Sequence, residues 1–468
     1  MNDRKIDHDV LILDTTLREG EQTPGVTFTI EEKLEIVRRL DEIGVDMIEA
    51  GDPNVSKDVK EAVRRIAKEG LRAEILAHCR ALIPDVENAA SCEVDRVAIF
   101  LGTSKSHLQS KLRKDEDKAI DLVSKAIEHA KNQGLKVRFT AEDASRTDYD
   151  FLLRICKKAE EAGADRISIP DTVGVLTPNT VRILFSNLSE KLKAELDTHC
   201  HNDLGMATAN TLAGLEGGAT AAHVTINGLG ERSGIAPLSE VAVALKVAYG
   251  IETVKLEQLP AVSLLCERLS GVVPAPNTPI VGENAFTHKA GIHVAGVLAN
   301  PATYEGFPPD LIGRQRDIII DKYTGVHAVR SRLERLGVSL NDSQITNIVQ
   351  AIKERPTITR FRDADLIELA EQLTGKNLKA EVPTRIEAIL RIKSESNVYT
   401  TAIARRLKAL KKITKVYEVT GNYDIEVAIT ADSSADLNES LERIREIEGV
   451  KATETQLVLK KFETEAHQ

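Results

Sequence analysis

Tryptophan is absent from this 468-residue chain, methionine occurs three times and aromatic residues make up only 3%, so a core has to be built mostly from Ile, Val, Leu and Ala. Cysteine is scarce and scattered: Cys79, Cys92, Cys156, Cys200 and Cys266 stand singly, with no C-x-x-C pair. That spacing excludes a disulfide framework and predicts reduced thiols in a cytoplasmic protein. No apolar run reaches the length of about 18 residues that a membrane helix needs, and the opening stretch MNDRKIDHDV has no apolar signal core, so no membrane partner is expected. Positive charge is also short: 62 Lys and Arg against 72 Asp and Glu leave a formal charge of −10. Polyanion binding needs basic surface to release counterions, which excludes nucleic acid as the main partner. What remains is a globular balance, 42% hydrophobic and 29% charged, in a chain too long for one ordinary domain.

From residue 10 to 230, short apolar runs alternate with amphipathic helical stretches, the pattern of βαβ units on a parallel sheet. Eight such runs can be marked: 10–17, 46–52, 73–79, 96–102, 136–143, 166–172, 195–201 and 223–230. Eight consecutive units without a nucleotide-type Gly-rich first turn predict a closed (β/α)8 TIM barrel over residues 1–270. Between the first two runs, Thr29 and Glu32 form a capping box, Ile36, Leu40 and Ile43 recur at helical spacing, and Gly44 stops the helix. A second helix is expected over 116–132, ending before Gly134. After residue 250 the alternation lapses. Residues 271–286 are rich in Pro, Gly and Asn and read as a linker. Mainly helical subdomains are expected over 271–385, with short helices in 325–375. A ferredoxin-like βαββαβ module is expected over 386–468, its strands at 385–393, 413–421, 423–431 and 451–462 and its helices at 400–411 and 434–447. Gly421-Asn422 is its candidate hairpin turn.

Barrel enzymes place their chemistry at the carboxyl ends of the strands. Arg18 and Glu19 follow run one, and His78 ends run three. Arg138, Thr140 and Glu142 lie on run five and Thr172 on run six. His199 and His201 close run seven, and Asn227 lies on run eight. Strand side chains alternate, so His199 and His201 point to the same side and read as a chelating pair, or else as two histidines satisfied within the core. With Glu19 as the acidic third ligand they suit a catalytic divalent ion. Arg18 offers a fork for a substrate carboxylate, or a rim salt bridge. Arg138, flanked by Val137 and Phe139, faces the barrel interior; it pairs with Glu142 or Glu19, or awaits an anionic substrate. In GLGERSG (228–234) the glycines let backbone N–H groups approach an anion, or simply form a turn. His288, His293 and Tyr304 lie in a loop-helix region beyond the barrel, either a lid or plain surface.

Six ordered motifs, DTTLREGEQTPG (14–25), FTAEDASR (139–146), IPDTVG (169–174), THCHNDLGMATAN (198–210), TINGLGERSG (225–234) and FTHKAGIHVAGVL (286–298), closely resemble the 2-isopropylmalate, homocitrate and citramalate synthases. The resemblance covers roughly residues 8–375. It implies a metal-dependent condensation of acetyl-CoA with a 2-oxo acid, followed by hydrolysis of the CoA thioester. It assigns the ion (Zn, Mn, Mg or Co) to Glu19, His199, His201 and, as a further match, Asn227. Arg18 would grip and polarise the substrate, and Glu142 would stand near the acetyl group. His293 matches the family's base, with Tyr304 beside it, both delivered from the partner subunit of a homodimer or larger homo-oligomer. The wording LREG and FTHKAGIH, together with Arg138, leans to the homocitrate branch and 2-oxoglutarate, with His78, Thr140 and Thr172 matching its pocket. 2-Oxoisovalerate, the substrate of 2-isopropylmalate synthases in leucine biosynthesis, and pyruvate, that of citramalate synthases, are the alternatives. Two departures stand out. Ala98 replaces an Asp of lysine-pathway homocitrate synthases, which argues against lysine feedback inside the barrel, and Asn227 replaces a Leu.

The phrase VYEVTGNYDIEVAITA (416–431) resembles the effector-binding domain of Lrp/AsnC-type regulators. No helix-turn-helix accompanies it, and the basic helix at 402–412 reads as a solvated face. An amino-acid effector, lysine first, is expected there. A lyase on the same barrel would require a reactive Cys in a Gly-rich loop, and none is evident.

Overall fold

The computed structural model describes residues 6–355, 360–361, 363–376, 378, 386–395, 398–410, 412–431 and 434–458. Contacts divide the chain into two compact units, one comprising Met1–Ser270 with Pro279–Val281 and the other Gly271–Thr278 with Gly282–Gln468.

The first unit is a closed barrel of eight parallel strands in sequence order: β1 (Leu11–Asp14), β2 (Met47–Gly51), β3 (Glu74–Arg80), β4 (Arg96–Gly102), β5 (Lys136–Glu142), β6 (Arg166–Asp171), β7 (Glu195–Cys200) and β8 (Ala219–Val224). Closure is made by β8 on β1, with Leu11 opposite Ala221 and Asp14 opposite Val224. Helices α1 (Ile30–Ile43), α2 (Lys57–Ala67), α3 (Ile83–Ala90), α4 (Glu116–Asn132), α5 (Tyr149–Glu161), α6 (Pro178–Ser189), α7 (Ala207–Glu216) and α8 (Leu238–Ala244) follow the strands in turn, and α9 (Leu259–Ser270) completes the unit. The capping box of α1 forms as expected: Thr29 accepts from the Glu32 N–H and the Glu32 carboxylate from the Thr29 N–H. Gly44 ends that helix at φ 102°, a left-handed conformation that a side chain would strain.

The eighth strand departs from expectation. It runs over Ala219–Val224 instead of 223–230, and Ile226–Gly228 is a single 3-10 turn with Asn227 at φ 57°. The apolar wording of TINGLG mimics a strand, but the barrel needs the small Ala221 opposite Leu11 and Asp197. Along the barrel axis the interior is apolar at one level, where Leu13, Met47, Leu76 and Ala221 pack together. Toward the carboxyl ends it becomes charged.

The second unit contains two separate hydrophobic cores. In one, α10 (Gly291–Ala299), α11 (Val326–Arg335), α12 (Asp342–Lys353) and α13 (Asp363–Thr374) contribute Val294, Val329, Leu333, Ile348, Ile352 and Ala370. A two-stranded pair, β9 (Thr287–His288) with β10 (Asp317–Ile318), accompanies them. The other core lies under an antiparallel sheet of β11 (Ile386–Ser394), β12 (Ile413–Glu418), β13 (Ile425–Ala431) and β14 (Val450–Leu457) in the order β12-β13-β11-β14. With α14 (Thr400–Lys408) and α15 (Ser434–Arg445) this is the βαββαβ, ferredoxin-like arrangement. Gly421, at φ 132°, lies in the connection between β12 and β13. Arg385, Lys411 and residues 459–462, which the sequence assigns to these elements, lie outside the described residues.

Candidate active site

The metal-type cluster assembles from two strands that closure makes neighbours of β8. β7 ends in His199 and Cys200, and His201, bridged to Ile235, continues the alternation, so both imidazoles face inward. Glu19 arrives from the turn after β1. Ligating atoms of Glu19, His199 and His201 all lie within 4.8 Å of one another, and all three residues are buried. The two Nε2 atoms stand 3.4 Å apart, and His201 Nε2 is 3.8 Å from Glu19 Oε1. Burial, reinforced by His201, His223 and Arg18, holds His199 far below the ordinary imidazole range, and burial likewise lowers His201. For Glu19 burial acts upward, but Arg18, His201 and the Glu231 N–H together pull the carboxyl below its ordinary value. Two neutral imidazoles and a carboxylate are the ligand states a divalent cation requires.

The Gly-rich stretch serves this carboxylate. The Glu231 N–H donates to Glu19 Oε1 at 3.1 Å, so the anion approached by the turn is the Glu19 carboxylate. A Cβ on Gly230 would lie 3.2 Å from Glu19 Cγ and Oε1, so a side chain there would press on the Glu19 carboxylate.

A buried ion network extends from the cluster across the barrel. Arg18 donates from Nε to Glu49 at 2.7 Å and from NH1 to Glu19. Glu49, fully buried on β2, also accepts from Thr15 at 2.6 Å, from Arg138 NH2 at 2.5 Å, and faces His78 Nδ1 at 3.2 Å. Burial pushes the Glu49 carboxyl up, but Arg18, Arg138 and His78 more than offset this and hold it well below the usual carboxylate range. Arg138 therefore has a partner the sequence did not suggest. Glu142, one of the two partners expected, instead takes both oxygens to Lys111 Nζ at 2.8 Å, on the π-helical turn His107–Leu112. Glu19, the other, is taken by Arg18. The reason is geometric: Arg138 leaves β5 at the level of Ala98 and Arg166, whereas Glu142 stands higher, opposite Gly102. Glu49 went unremarked although its signal was present, a lone acid in the five-residue strand MIEAG, every position of which is buried. His223, between His199 Nδ1 and Asp197 at 3.2 Å each, was missed in the same way.

One cavity of about 710 Å³ opens at this end of the barrel, and Arg18, Glu19, His78, Arg138, Thr140, Glu142, Thr172, His199 and His201 all line it. Thr172 is held there by accepting from the Asp143 N–H at 2.9 Å, and His78 stacks on Phe100 with centroids 4.5 Å apart. Asn227 is the exception. Its amide donates to the Ser263 carbonyl at 3.0 Å and accepts from the Ser263 hydroxyl at 2.6 Å, so both ends of the amide are engaged by α9. The residue itself is in the left-handed region, at φ 57°, in the turn that follows the short β8. His293 and Tyr304 belong to the second unit, where their rings stack at 4.2 Å. His293 lines a separate cavity there with Lys289 and Tyr323.

Comparison with known proteins draws these features together. The homocitrate synthase of Sulfurisphaera tokodaii is 52% identical over 456 residues, 96% of this chain and 99% of that one. The homocitrate synthase of Sulfolobus acidocaldarius is 52% identical over 464 residues, 98% of this chain and 99% of its own. The chain belongs to the homocitrate synthase family. As a member of that family of condensing acyltransferases it matches an HMGL-like model over residues 9–265, a homocitrate synthase post-HMGL domain-like model over 280–359 and an Lrp/AsnC ligand binding domain over 387–466. Among solved structures, HMG-CoA lyase from Brucella melitensis aligns with TM-score 0.51 at 20% identity, covering 57% of this chain and 100% of that one. Hydroxymethylglutaryl-CoA lyase from Pseudomonas aeruginosa aligns equally well, TM-score 0.51 at 19% identity over 57% and 94%. At that identity the likeness is of the barrel fold alone. Among the described residues no helix is long and apolar enough to cross a membrane.

Proposed function

We infer that the protein condenses acetyl-CoA with 2-oxoglutarate and hydrolyses the thioester to release homocitrate and CoA, a step of lysine biosynthesis by the α-aminoadipate route. The observation that carries the substrate assignment is the charge of the buried network. Arg18 and Arg138 cancel Glu19 and Glu49, Lys111 cancels Glu142, and burial holds His199 and His201 toward the neutral form; the other charged groups lining the cavity, Glu21, Asp52, Glu231 and Arg232, are partly or fully exposed to water. A divalent ion on Glu19, His199 and His201 would leave this buried part doubly positive, the complement of a 2-oxo dicarboxylate, whereas a monocarboxylate would leave a buried excess. Such an ion supplies Lewis-acid polarisation of the 2-oxo group.

The chain's own groups account for the rest. Arg18, held by Glu49, presents its guanidinium to the carboxylate end of the oxo acid. His293, from a second copy of the chain, takes a proton from the acetyl methyl with Tyr304 stacked against it. The methyl carbon then bonds to the keto carbon, the former carbonyl oxygen gains a proton, and water cleaves the thioester. Glu142, neutralised by Lys111, stands at the mouth near the thioester. This reading makes the protein at least a homodimer in a reducing cytoplasm, with all five cysteines free. The test is CoA release from acetyl-CoA with 2-oxoglutarate, 2-oxoisovalerate and pyruvate in parallel. 2-Oxoglutarate should lead by at least about 100-fold in kcat/KM, and preference for 2-oxoisovalerate would refute the assignment. The Lrp/AsnC-type module suggests feedback by an amino acid. Lysine should lower activity of the full chain and not of a chain ending before residue 386; inhibition that persists after truncation places the effector elsewhere.

A further inference from the structure

The floor of the cavity carries a feature that neither the ion ligands nor Arg18 uses. Three polar atoms there are buried without a hydrogen-bond partner: Arg138 Nε, Thr140 Oγ1 and Ser168 Oγ. They are neighbours by construction. Arg138 and Thr140 lie two apart on β5 and so face the same way, and Thr140 is in register with Ser168 on β6. Of the guanidinium nitrogens, NH2 donates to Glu49 and NH1 faces His223 Nε2 at 3.5 Å, while the single Nε–H has no partner. Ser168 does not serve the adjacent Asp197, whose oxygens go to Arg166 Nε at 2.7 Å and His223 Nε2 at 3.2 Å.

Buried polar groups are ordinarily paired, and three unpaired ones side by side in a cavity wall are the empty half of a recognition site. Their chemistry is one-sided. The Arg138 Nε–H can only donate, and both hydroxyls are free to do so. A matching ligand group must accept several hydrogen bonds and carry negative charge, which a carboxylate does and a methyl or isopropyl end does not.

We propose that Ser168 is a specificity-determining residue: with Thr140 and the Arg138 Nε–H it completes a three-donor cradle for the terminal carboxylate of the 2-oxo dicarboxylate. This rests on the 2-oxoglutarate reading and adds Ser168, a side chain that no family motif singled out. The division of labour is then physical. The ion ligands and Arg18 hold the reacting end, common to all 2-oxo acids, while the β5–β6 hydroxyls and Arg138 measure the far end. A site built to bond a polar group discriminates strongly against an analogue that lacks it, because its own donors are then stranded.

The experiment compares the full-length metal-loaded protein with Ser168→Ala and Ser168→Thr, the latter keeping the hydroxyl. In Ser168→Ala, KM for 2-oxoglutarate should rise about tenfold or more, with KM for acetyl-CoA shifting less than about threefold. Activity with pyruvate, which has no far carboxylate, should not fall in step with it. Ser168→Thr should retain more of the 2-oxoglutarate preference than Ser168→Ala. Calorimetric titration with 2-oxoglutarate in the absence of acetyl-CoA should weaken to match the KM change. The melting temperature without substrate should not drop, since the alanine removes an unpaired buried hydroxyl. An unchanged KM for 2-oxoglutarate, or equal losses with pyruvate, would overturn the role of Ser168. Failure of the parent protein itself to prefer 2-oxoglutarate would instead overturn the reading beneath it.

Discussion

The barrel interior and the C-terminal sheet solve opposite problems with the same strand geometry. In β11 and β13 every second residue is buried, Ala388, Leu390 and Ile392 against Ile425, Val427 and Ile429, while the intervening Arg391 and Glu426 face outward as a half-exposed pair at 3.3 Å. In β2 and β6 every residue is buried; of the ionisable ones, Glu49 and Arg166 are paired with opposite charges and Asp171 accepts from the Val175 and Leu176 N–H groups. Charge on the first sheet costs nothing because water solvates it. Charge inside the barrel is tolerable only as a complete network, and a complete network with a few donors left over is a binding site.

The contrast can be broken at its strongest point. His201→Ala should abolish both the bound divalent ion and CoA release, exceeding the roughly 10–100-fold loss typical when only an outer support of a ligand is removed; metal content and turnover measured on one preparation check this, and a fully active, fully loaded variant would reject the site. Next comes Glu49→Gln, which strands Arg138, leaves Arg18 with Glu19 alone and should cost about 3–5 kcal/mol of stability by denaturant unfolding. The Glu49 carboxyl is depressed in the fold, so its contribution is present above the ordinary carboxylate pKa and lost as pH falls through and below it. The gap between parent and variant should accordingly narrow on acidification, and a gap that widens would contradict the network. Smallest is Arg391→Ala on the outer face of the C-terminal sheet, expected to change stability by about 0–1 kcal/mol. A loss comparable to Glu49→Gln would mean that this face is not the solvated surface it resembles.

Much of this was legible beforehand, for identifiable reasons. The capping box at Thr29 and Glu32 and the chelating face of His199 and His201 depend on residues two or three apart, and such relations survive folding unchanged. The end of β8 was misread because an apolar stretch, TINGLG, can be a strand or a turn, and only pairing with β1 and β7 decides. Asn227 entered as a match to the family motif, and in the left-handed turn that stands where a strand was expected its amide bonds Ser263.

Sequence alone determined the eightfold alternation, the two-histidine spacing and the interior face of Arg138, all consequences of local periodicity. Tertiary structure decided what Arg138 meets. Its counterion Glu49 lies 89 residues away, brought within 2.5 Å by closure of the barrel, and no local period encodes a contact of that kind. The same closure leaves the Nε–H of Arg138 beside the hydroxyls of Thr140 and Ser168 with nothing to bond, and so sets aside the donors for a substrate.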